Sequence, residues 1–419
     1  MFGFRGFPGV QGGVETHAEH LAPQLAQLGH DVTVFFRSPY VPSDCGPAWK
    51  GVRLRRIWSL QNACVEALLH SLICALIAGI QRPRLVHVHG IGPALVTPLL
   101  RLLGLRVVVT HHGEDYNREK WGGVARMVLK LGEAVGMRFA NKRIVISRHL
   151  ERLIADKYAL SCDVIPNGVT LPALPKDADQ VTALGLEPGR YVLSVGRLVP
   201  EKRQLDLLRA FTSRDLPDHL RGWKLAIVGR IDHQNDYAEA LMAEAASSDN
   251  VVMAGLHSGE SLRQLYAHAG LFVLPSSHEG LPLVLLEALS YGLPVLVSDI
   301  AANVEVVDHA DHIFRLGDID NLRAKMASLT QQPRDAAARE TLRRAAIRRY
   351  DWRDIALRTS AAYMEVAGER STEGRPTGGV LRPAAVSVSA RPRYTAWSEF
   401  WRSLQESWQR TPEKESGAA

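Results

Sequence analysis

The segment 271–298 constrains the fold of this chain more than any other. Its first apolar run, Leu271–Leu274, is typical of a buried strand in a parallel sheet. A polar break follows, and Pro282 suits the first turn of a helix because proline lacks an N–H that would be unpaired there. Gly292 and Pro294 end that helix, and a second apolar strand begins. The segment therefore predicts a strand–helix–strand unit.

Two carboxylates accompany this helix. Glu279 lies just before it and Glu287 within its first turns. The N–H groups of Gly280, Leu281 and Leu283 have no helical partner, and the helix dipole favours an anion beside them. A carboxylate cannot neutralise that anion, but it can accept hydrogen bonds from a sugar diol. The pattern predicts a phosphate next to a hydroxyl-rich group, as in a nucleotide sugar.

Strand-like and helix-like stretches alternate along most of the chain. The predicted strands are Asp31–Phe36, Leu85–His89, Arg106–Thr110, Lys142–Ile146, Asp163–Ile165, Tyr191–Val195, Lys224–Val228, Val251–Ala254, Leu271–Leu274, Val295–Val297 and His312–Phe314. Predicted helices include Val14–Gly29 and Pro93–Leu103, with others near 317–330 and 335–366. Strands separated by helices indicate α/β architecture, with parallel sheets covered on both faces.

A turn-rich break divides this pattern into two similar halves. Ile165–Val169 (I-P-N-G-V) and the following stretch Leu171–Gln180 read as a hinge. A chain of 419 residues, 46% of them hydrophobic, is long enough for two or three buried cores. We expect two Rossmann-like domains at 1–167 and 168–348, followed by a crossover helix at 349–367.

The C-terminal stretch 368–419 differs in composition from the rest. Its first part is rich in Gly, Pro, Ser and Arg, which predicts a mostly disordered tail. A short amphipathic helix is expected near 394–408, where one face would carry Trp397, Phe400, Trp401, Leu404 and Trp408. That helix could dock on its own protein, on a membrane interface or on a partner.

Charge is concentrated in the first half. Residues 1–170 contain 20 Lys and Arg against 12 Asp and Glu, a net +8, whereas the remainder has 30 against 32, a net −2. A basic half predicts an anionic surface or substrate. The four cysteines lack metal-binding spacing and read as inert thiols, so a cytoplasmic location is expected.

Two apolar helices bear on membrane contact. Ala63–Ile80 carries Glu66 and His70 among its apolar residues, which favours a helix packed on a sheet over a membrane span. A second helix at 117–139 has apolar and basic positions. Its apolar face (Trp121, Val124, Val128, Leu131, Val135, Phe139) could be core, or its basic face (Arg118, Lys120, Arg126, Lys130, Arg138) could rest on anionic lipid.

A Gly-rich loop, Gly3–Gly13, precedes the first predicted helix. Its glycine spacing is irregular for a dinucleotide fingerprint, and no acidic residue ends the following strand. A backbone that approaches a phosphate or sugar fits better, because Gly12 and Gly13 lack the Cβ that would obstruct it.

Polar loops follow two other strands. His111 and His112 come just after a strand, where ligands bind in open α/β sheets, although metal binding, capping and packing are alternatives. Arg197 and Lys202 follow another strand. They could form an ordinary solvated surface, or a pyrophosphate clamp if they face the helix start at Gly280.

Taken together, these motifs resemble a known family. The run H-E-G-L-P-L-V-L-L-E-A, with Glu279 and Glu287 eight apart, is similar to the E-x7-E signature of retaining GT-B glycosyltransferases of family 4. Five further motifs occur in the same order as in that family, and the resemblance covers about 3–365. They are G-G-V-E-T-H (12–17), T-H-H-G (110–113), I-P-N-G-V (165–169), V-G-R-L-V-P-E-K (195–202) and G-L-P-V-L-V-S-D (292–299).

The resemblance implies a role for each candidate site residue. Arg197 and Lys202 would bind the diphosphate, Glu287 the ribose, and Glu279 with the Gly280 and Leu281 amides the transferred sugar. Gly12 and Gly13 would lie under the phosphate, and His112 beside the reacting side of the sugar. No metal and no cofactor would be needed, because Arg, Lys and the helix dipole stabilise the leaving diphosphate.

Two departures from the family pattern stand out. The family has a full strand before the Gly-rich loop where this chain has only Met1–Phe4, which leads to the expectation of a natural start upstream of Met1. Arg203 stands where the family commonly has Gly, which would affect how that loop closes over the phosphates.

The resulting prediction is a bacterial retaining glycosyltransferase for surface polysaccharide biosynthesis. It would move a hexose from a nucleoside diphosphate sugar to a glycan or lipid-linked glycan. It would have no nucleic-acid partner, and it would contact the inner face of an anionic cell membrane. The alternatives are a sugar-nucleotide epimerase of the same fold and a non-catalytic nucleotide-sugar-binding protein.

Overall fold

The computed structural model describes residues 1–42, 44–60, 65–118, 121–231, 236–331 and 336–368. The predicted tail beyond residue 368, with its helix at 394–408, lies outside the described residues. Lys120 and Cys64 lie outside them too.

The first half folds as strands alternating with helices. Its strands are β1 (Thr33–Arg37), β2 (Ala48–Trp49), β3 (Val52–Ile57), β4 (Val86–His89), β5 (Val107–His111), β6 (Lys142–Val145) and β7 (Asp163–Val164). Its helices are α1 (Gly13–Gln27), α2 (Glu66–Gln81), α3 (Thr97–Leu102), α4 (Gly123–Phe139) and α5 (Arg148–Tyr158). The predicted strands are present within about two residues of their expected bounds, whereas β2 and β3 were not predicted.

Residues at the N-terminus connect two groups of strands in this half. Strands β4-β5-β6-β7 are parallel, while β1 pairs in parallel with β3, and β2 pairs with β3 antiparallel. Phe2 pairs with Val88 of β4, and the Met1 carbonyl accepts from the N–H of Phe35 in β1 at 3.0 Å. The few residues before the Gly-rich loop thus occupy the central position between the two groups.

The second half contains one six-stranded parallel sheet. Its strands are β8 (Tyr191–Val195), β9 (Lys224–Val228), β10 (Val251–Gly255), β11 (Leu271–Leu274), β12 (Val295–Ser298) and β13 (Ile313–Phe314), in the order β10-β9-β8-β11-β12-β13. Its helices are α6 (Asp179–Ala183), α7 (Gln204–Phe211), α8 (Asp236–Ala245), α9 (Gly259–His268), α10 (Leu283–Ser290), α11 (Ala301–Val304), α12 (Ile319–Gln331) and α13 (Ala336–Tyr350). The predicted strand–helix–strand unit is β11-α10-β12, with Pro282 immediately before the helix as its N-cap residue rather than inside it.

A last helix, α14 (Trp352–Ala367), returns to the first half. It is separated from α13 by Asp351, whose side chain accepts from the N–H of Arg353 at 3.1 Å and caps the new helix. Helix α14 packs on α1 and hydrogen-bonds through Ser360 to His30 (2.7 Å) and through Tyr363 to His87 (2.6 Å). The molecule is therefore two Rossmann-like α/β domains with a C-terminal crossover helix.

Helix α2 buries its small and polar side and exposes its large apolar residues. Its buried residues are mostly small or polar: Glu66, His70, Ser71, Cys74, Ala75 and Ala78. Its large apolar residues Leu72, Leu76 and Ile80 are 40%, 50% and 83% exposed. Burial of Glu66 is compensated by hydrogen bonds from Tyr40 and Ser59, both 2.8 Å. The helix packs against the Pro93–Val96 turn, α3 and β3. No helix among the described residues is long and apolar enough to cross a membrane.

Helix α4 also turns apolar residues outward. It begins at Gly123, not at Asn117, and buries Gly132, Glu133, Gly136 and Met137. Val124, Leu131 and Phe139, expected on a core face under one interpretation, are 74%, 53% and 48% exposed. That interpretation is wrong for these residues. Gly132 and Gly136 let α4 approach the segment Ile91–Ala94 so closely that an added Cβ would lie 2.2 and 2.5 Å from it.

Candidate active site

The turn between β11 and α10 is held by groups from both domains. Ser277 N–H donates to the Glu201 carbonyl (2.9 Å), and the Leu281 carbonyl accepts from Asn167 Nδ2 (2.8 Å). Among the described residues, no acceptor faces the N–H groups of Gly280 and Leu281. The start of α10 therefore presents backbone donors where the helix dipole attracts negative charge.

A charged pair lies directly beside this turn. Lys202 Nζ is 2.5 Å from Glu279 Oε1, and the two side chains are only 15% and 11% exposed. The structure thus brings together Lys202, predicted to bind phosphate, and Glu279, predicted to bind sugar.

The T-H-H-G turn of the first domain meets the Gly280 turn through bare backbone. A Cβ added to Gly280 would lie 2.1 Å from the His112 carbonyl oxygen, and one added to Gly113 would lie 3.5 Å from Gly280 Cα. Only glycine at position 280 permits this approach. The two domains therefore close on each other at this point.

One cavity of the cleft lies between these turns. Its lining residues come from both domains: His112, Gly113, Asp115, Arg118, Arg197, Glu201, Lys202, His278, Glu279 and Gly280. Of the predicted site residues, His112, Arg197, Lys202, Glu279 and Gly280 are brought together here. Cationic side chains and backbone donors on one wall, with an imidazole opposite, are suited to an anionic ligand with a polar extension.

Three imidazoles cluster behind the His112 turn. One ring nitrogen from each of His17, His89 and His112 lies within 4.8 Å of the others, so this is where the described residues could hold a metal ion. His89 Nδ1 and His112 Nε2 are already hydrogen-bonded at 3.1 Å. Burial, reinforced by the neighbouring histidines, lowers the pKa of His112 and of His89 well below the usual range. These rings are neutral at physiological pH and can accept as well as donate hydrogen bonds.

The two glycines at the start of α1 have different surroundings. Gly12 has φ +152°, a backbone conformation that L side chains rarely adopt, and a Cβ there would also displace the ends of Glu15 and Arg5. A Cβ on Gly13 would have nothing within 4 Å. Gly13 therefore leaves open space above the first turn of α1, where its N–H group can meet a ligand.

Glu287 lies on α10, apart from the residues that line the cavity. Its carboxylate accepts a hydrogen bond from Tyr266 Oη at 2.9 Å. Burial raises the pKa of Glu287 to about 7, and the Tyr266 hydrogen bond only partly counters this effect. The raised pKa means that this side chain gains or loses its proton near neutral pH.

Several residues of the cleft were not predicted. Asp115, Arg118, Glu201 and His278 line the cavity, and Asn167 holds the Leu281 carbonyl. Asp115 and Arg118, four and seven residues after His111, form an ion pair of 2.7 Å. Their position just beyond the T-H-H-G motif is the signal that could have identified them.

Both halves of the chain match known protein families. Residues 11–172 match the family described as Glycosyltransferase Family 4, and residues 179–349 match Glycosyl transferases group 1. A GDP-mannose:cellobiosyl-diphosphopolyprenol alpha-mannosyltransferase of Xanthomonas campestris is 30% identical over 320 residues, covering 71% of this chain and 78% of that protein. The MMP alpha-(1->4)-mannosyltransferase of Mycolicibacterium hassiacum is 27% identical over 399 residues, covering 84% and 94%.

Solved structures show the same architecture. Sucrose-phosphate synthase from Thermosynechococcus elongatus superposes with a TM-score of 0.71 at 22% identity, covering 86% of this chain and 94% of that one. WaaG, a glycosyltransferase involved in lipopolysaccharide biosynthesis, gives 0.65 at 18% identity, covering 89% and 99%. Two Rossmann-like domains around a cleft define the GT-B fold. The chain belongs to the GT-B glycosyltransferases of family 4, which confirms the predicted fold class and family.

Proposed function

We propose that this glycosyltransferase moves a hexose from a nucleoside diphosphate sugar to a glycan or lipid-linked glycan, with retention of anomeric configuration. The observation that supports this most directly is the closed cleft in which the His112 turn meets Lys202, Glu279 and Gly280. Relatives named as acting on diphosphopolyprenol-linked acceptors support the acceptor class. Surface polysaccharide biosynthesis is the setting that we propose.

Each predicted residue has a distinct role in this proposal. Arg197, Lys202 and the amides of Gly280 and Leu281 stabilise the charge that develops on the leaving diphosphate. Glu279 accepts from hydroxyls of the transferred sugar and Glu287 from the ribose. Gly12 shapes the loop that places Gly13 beneath the phosphate, and His112 lies beside the reacting carbon.

Retention and independence of metal are part of the proposal. Attack by the acceptor hydroxyl on the face that the diphosphate leaves retains the configuration, and the leaving phosphate accepts the proton. Because Arg197 and Lys202 supply positive charge, we expect no added cation to be needed. The anomeric proton coupling in the NMR spectrum of the product tests retention, and activity after chelation tests the second point.

The central experiment is a donor screen followed by transfer. Thermal shifts with UDP-, GDP- and dTDP-sugars identify the donor, and transfer is then measured on a lipid-linked acceptor. Glu279→Ala should lower turnover by about 100-fold while nucleotide binding is kept. Donor conversion without acceptor would instead indicate an epimerase, and binding without any turnover a non-catalytic binding protein.

We further propose that the first domain rests peripherally on the inner face of an anionic membrane. Helix α3 packs between α2 and α4, and the three expose apolar residues together: Leu68, Leu72, Leu76, Ile80, Leu102, Val124, Met127 and Leu131. Basic residues stand among them, namely Arg101, Arg126, Lys130 and Arg138. The acidic residues of these helices, Glu66 and Glu133, are both buried. An apolar surface with only positive charge suits anionic lipid.

A vesicle-binding experiment tests this contact. Replacing Arg126 and Lys130 with Ser should lower partitioning onto anionic vesicles by about 30-fold, since each of the two basic residues near the surface contributes about 1 kcal/mol. Replacing two exposed arginines of the second domain, Arg221 and Arg315, is the matched control and should leave partitioning unchanged. Equal partitioning of all three proteins would contradict the proposal.

A further inference from the structure

A buried carboxylate on α4 lies behind the His112 turn. Glu133 is 1% exposed, and four side chains lie within hydrogen-bonding distance of it. Its Oε1 accepts from His111 Nε2 (2.9 Å) and lies 3.1 Å from Tyr116 Oη, whose single proton is shared with Glu114 Oε1 at 2.8 Å. Its Oε2 accepts from Tyr158 Oη (2.8 Å) and Lys157 Nζ (3.2 Å). None of the roles proposed above uses this group.

The surroundings of Glu133 favour its charged form. Burial raises the pKa of this carboxyl, but the hydrogen bonds from His111 and Tyr158 and the charge of Lys157 outweigh burial and bring it to about 2. A buried carboxylate is costly unless its oxygens are satisfied, and here both are.

His111 connects Glu133 to the backbone of the turn. Its Nδ1 accepts the N–H of Gly113 at 3.1 Å, so Nε2 carries the ring proton and donates it to Glu133. The side chain of His111 thereby fixes the peptide on the far side of His112. Gly113 has φ +142°, and its backbone lies against Gly280 of the opposing domain.

We propose that Glu133 is a positioning residue, which acts through His111 to hold the turn that presents His112 to the cleft. The inference rests on the proposed function, because it assumes that the His112 turn lies beside the transferred sugar. Glu133 itself touches no substrate. Its effect is to set the tautomer of His111 and, through the Gly113 N–H, the path of the turn.

Steady-state kinetics on the full chain with the identified donor tests this role. Glu133→Ala should lower kcat by about 100-fold, as displacement of a reacting group by about 1 Å does. KM for the donor should change by less than about 3-fold, because Arg197 and Lys202 are untouched. Glu133→Gln keeps an oxygen for His111 and should recover part of kcat. Tyr158→Phe, the control, removes a hydrogen bond to Glu133 but leaves the His111 bond, so kcat should stay within about 3-fold of wild type.

A double-mutant cycle separates one linked pair from two independent residues. His111→Phe and Glu133→Ala should each cause the same loss as the double variant, since both break one connection. Multiplied losses in the double variant, or wild-type kcat in Glu133→Ala, would overturn the inference. If Glu133→Ala does not fold, the other two variants test the inference. A kcat for Glu133→Gln between those of wild type and His111→Phe supports it, and a wild-type kcat in His111→Phe overturns it. Lack of transfer by the wild type would contradict the proposed function instead, so the two failures are distinguishable.

Discussion

At the scale of single residues, Arg203 adopts a backbone conformation that L side chains rarely take. Its φ and ψ are 50° and 35°, in the left-handed region, directly after Lys202. The resemblance predicts glycine at this position, and Arg203 adopts a conformation that glycine takes readily. An ion pair of 2.6 Å between Arg203 Nε and Asp206 Oδ2 helps to hold it.

The strain at Arg203 can be measured. Arg203→Gly and Arg203→Ala both remove the ion pair, but only alanine keeps a Cβ in the left-handed region. We expect the glycine variant to have a free energy of unfolding higher than the alanine variant by about 1 kcal/mol. Urea unfolding of the two variants gives this difference. Equal stability would mean that the backbone relaxes out of this conformation without cost.

Glu287 makes stability depend on pH. Its pKa is about 7 in the folded protein, against 4.5 for the ordinary carboxyl. As pH rises, the unfolded chain releases this proton at a lower pH than the folded protein does. Glu287 therefore lowers the free energy of unfolding progressively from about pH 4.5 to 7, and the loss remains at higher pH. Glu287→Gln, which keeps an acceptor for Tyr266, should therefore gain stability over wild type on going from pH 5.5 to 8.5, by ~2 kcal/mol.

Urea unfolding at the two pH values measures this gain. Glu239→Gln, at an exposed glutamate of α8, is the control and should show no pH-dependent gain. If Glu287→Gln gains the same free energy of unfolding at both pH values, burial does not shift the pKa of this carboxyl.

Short motifs made some site residues predictable and left others hidden. His112, Lys202 and Glu279 stand in motifs that follow strands, and parallel strands deliver such residues to one sheet edge. Glu133 stands in no motif, and Asn167 stands in the I-P-N-G-V motif, where the sequence indicated only a hinge. Their partners lie 22 and 114 residues away in the chain, at His111 and Leu281, so only the assembled fold shows what they do.

At the scale of elements, the meeting of two turns gives a sharp prediction for Gly280. A methyl group there would overlap the His112 carbonyl, which lies 2.1 Å from the Cβ position. Gly280→Ala should therefore keep the cleft from closing at this point and lower kcat by about 100-fold. Nucleotide binding through Arg197 and Lys202 should be retained.

A matched variant controls for the added methyl group. Gly13→Ala has open space for its Cβ, so the protein should fold normally, whereas donor affinity should fall because the methyl group obstructs the phosphate. Kinetics and nucleotide titration of the two variants separate closure from binding. Wild-type kcat in Gly280→Ala would contradict the closed contact between the turns.

Strands and helices were predictable where periodicity was clear, but the face that a helix buries was not. The short strands β2 and β3 were missed, although buried Val52, Leu54 and Ile57 alternate with exposed arginines in β3. In α2, apolar residues recur at helical spacing, yet the small side is the buried one. Periodicity defines a stripe, while packing against α3 and the sheet decides its direction.

At the scale of the whole molecule, Asn167 joins three parts of the chain. Its Oδ1 accepts from His17 Nδ1 of α1 at 2.9 Å, and its Nδ2 donates to the Leu281 carbonyl of the opposing domain at 2.8 Å. It lies in the I-P-N-G-V segment predicted as a hinge, and it is 4% exposed. One amide therefore connects the first helix, the interdomain segment and the turn proposed to bind the donor.

This connection predicts how Asn167 variants behave. Asn167→Ala loses both hydrogen bonds and should lower both the free energy of unfolding, by about 2 kcal/mol, and kcat, by about 10-fold. Asn167→Asp keeps the acceptor for His17 but places an oxygen against the Leu281 carbonyl, so it should separate the domains at least as strongly. Ser360→Ala removes a single bond between α14 and His30, away from the cleft. It should cost about 1 kcal/mol without changing kcat, whereas equal kinetic effects in Asn167→Ala and Ser360→Ala would mean that Asn167 contributes only stability.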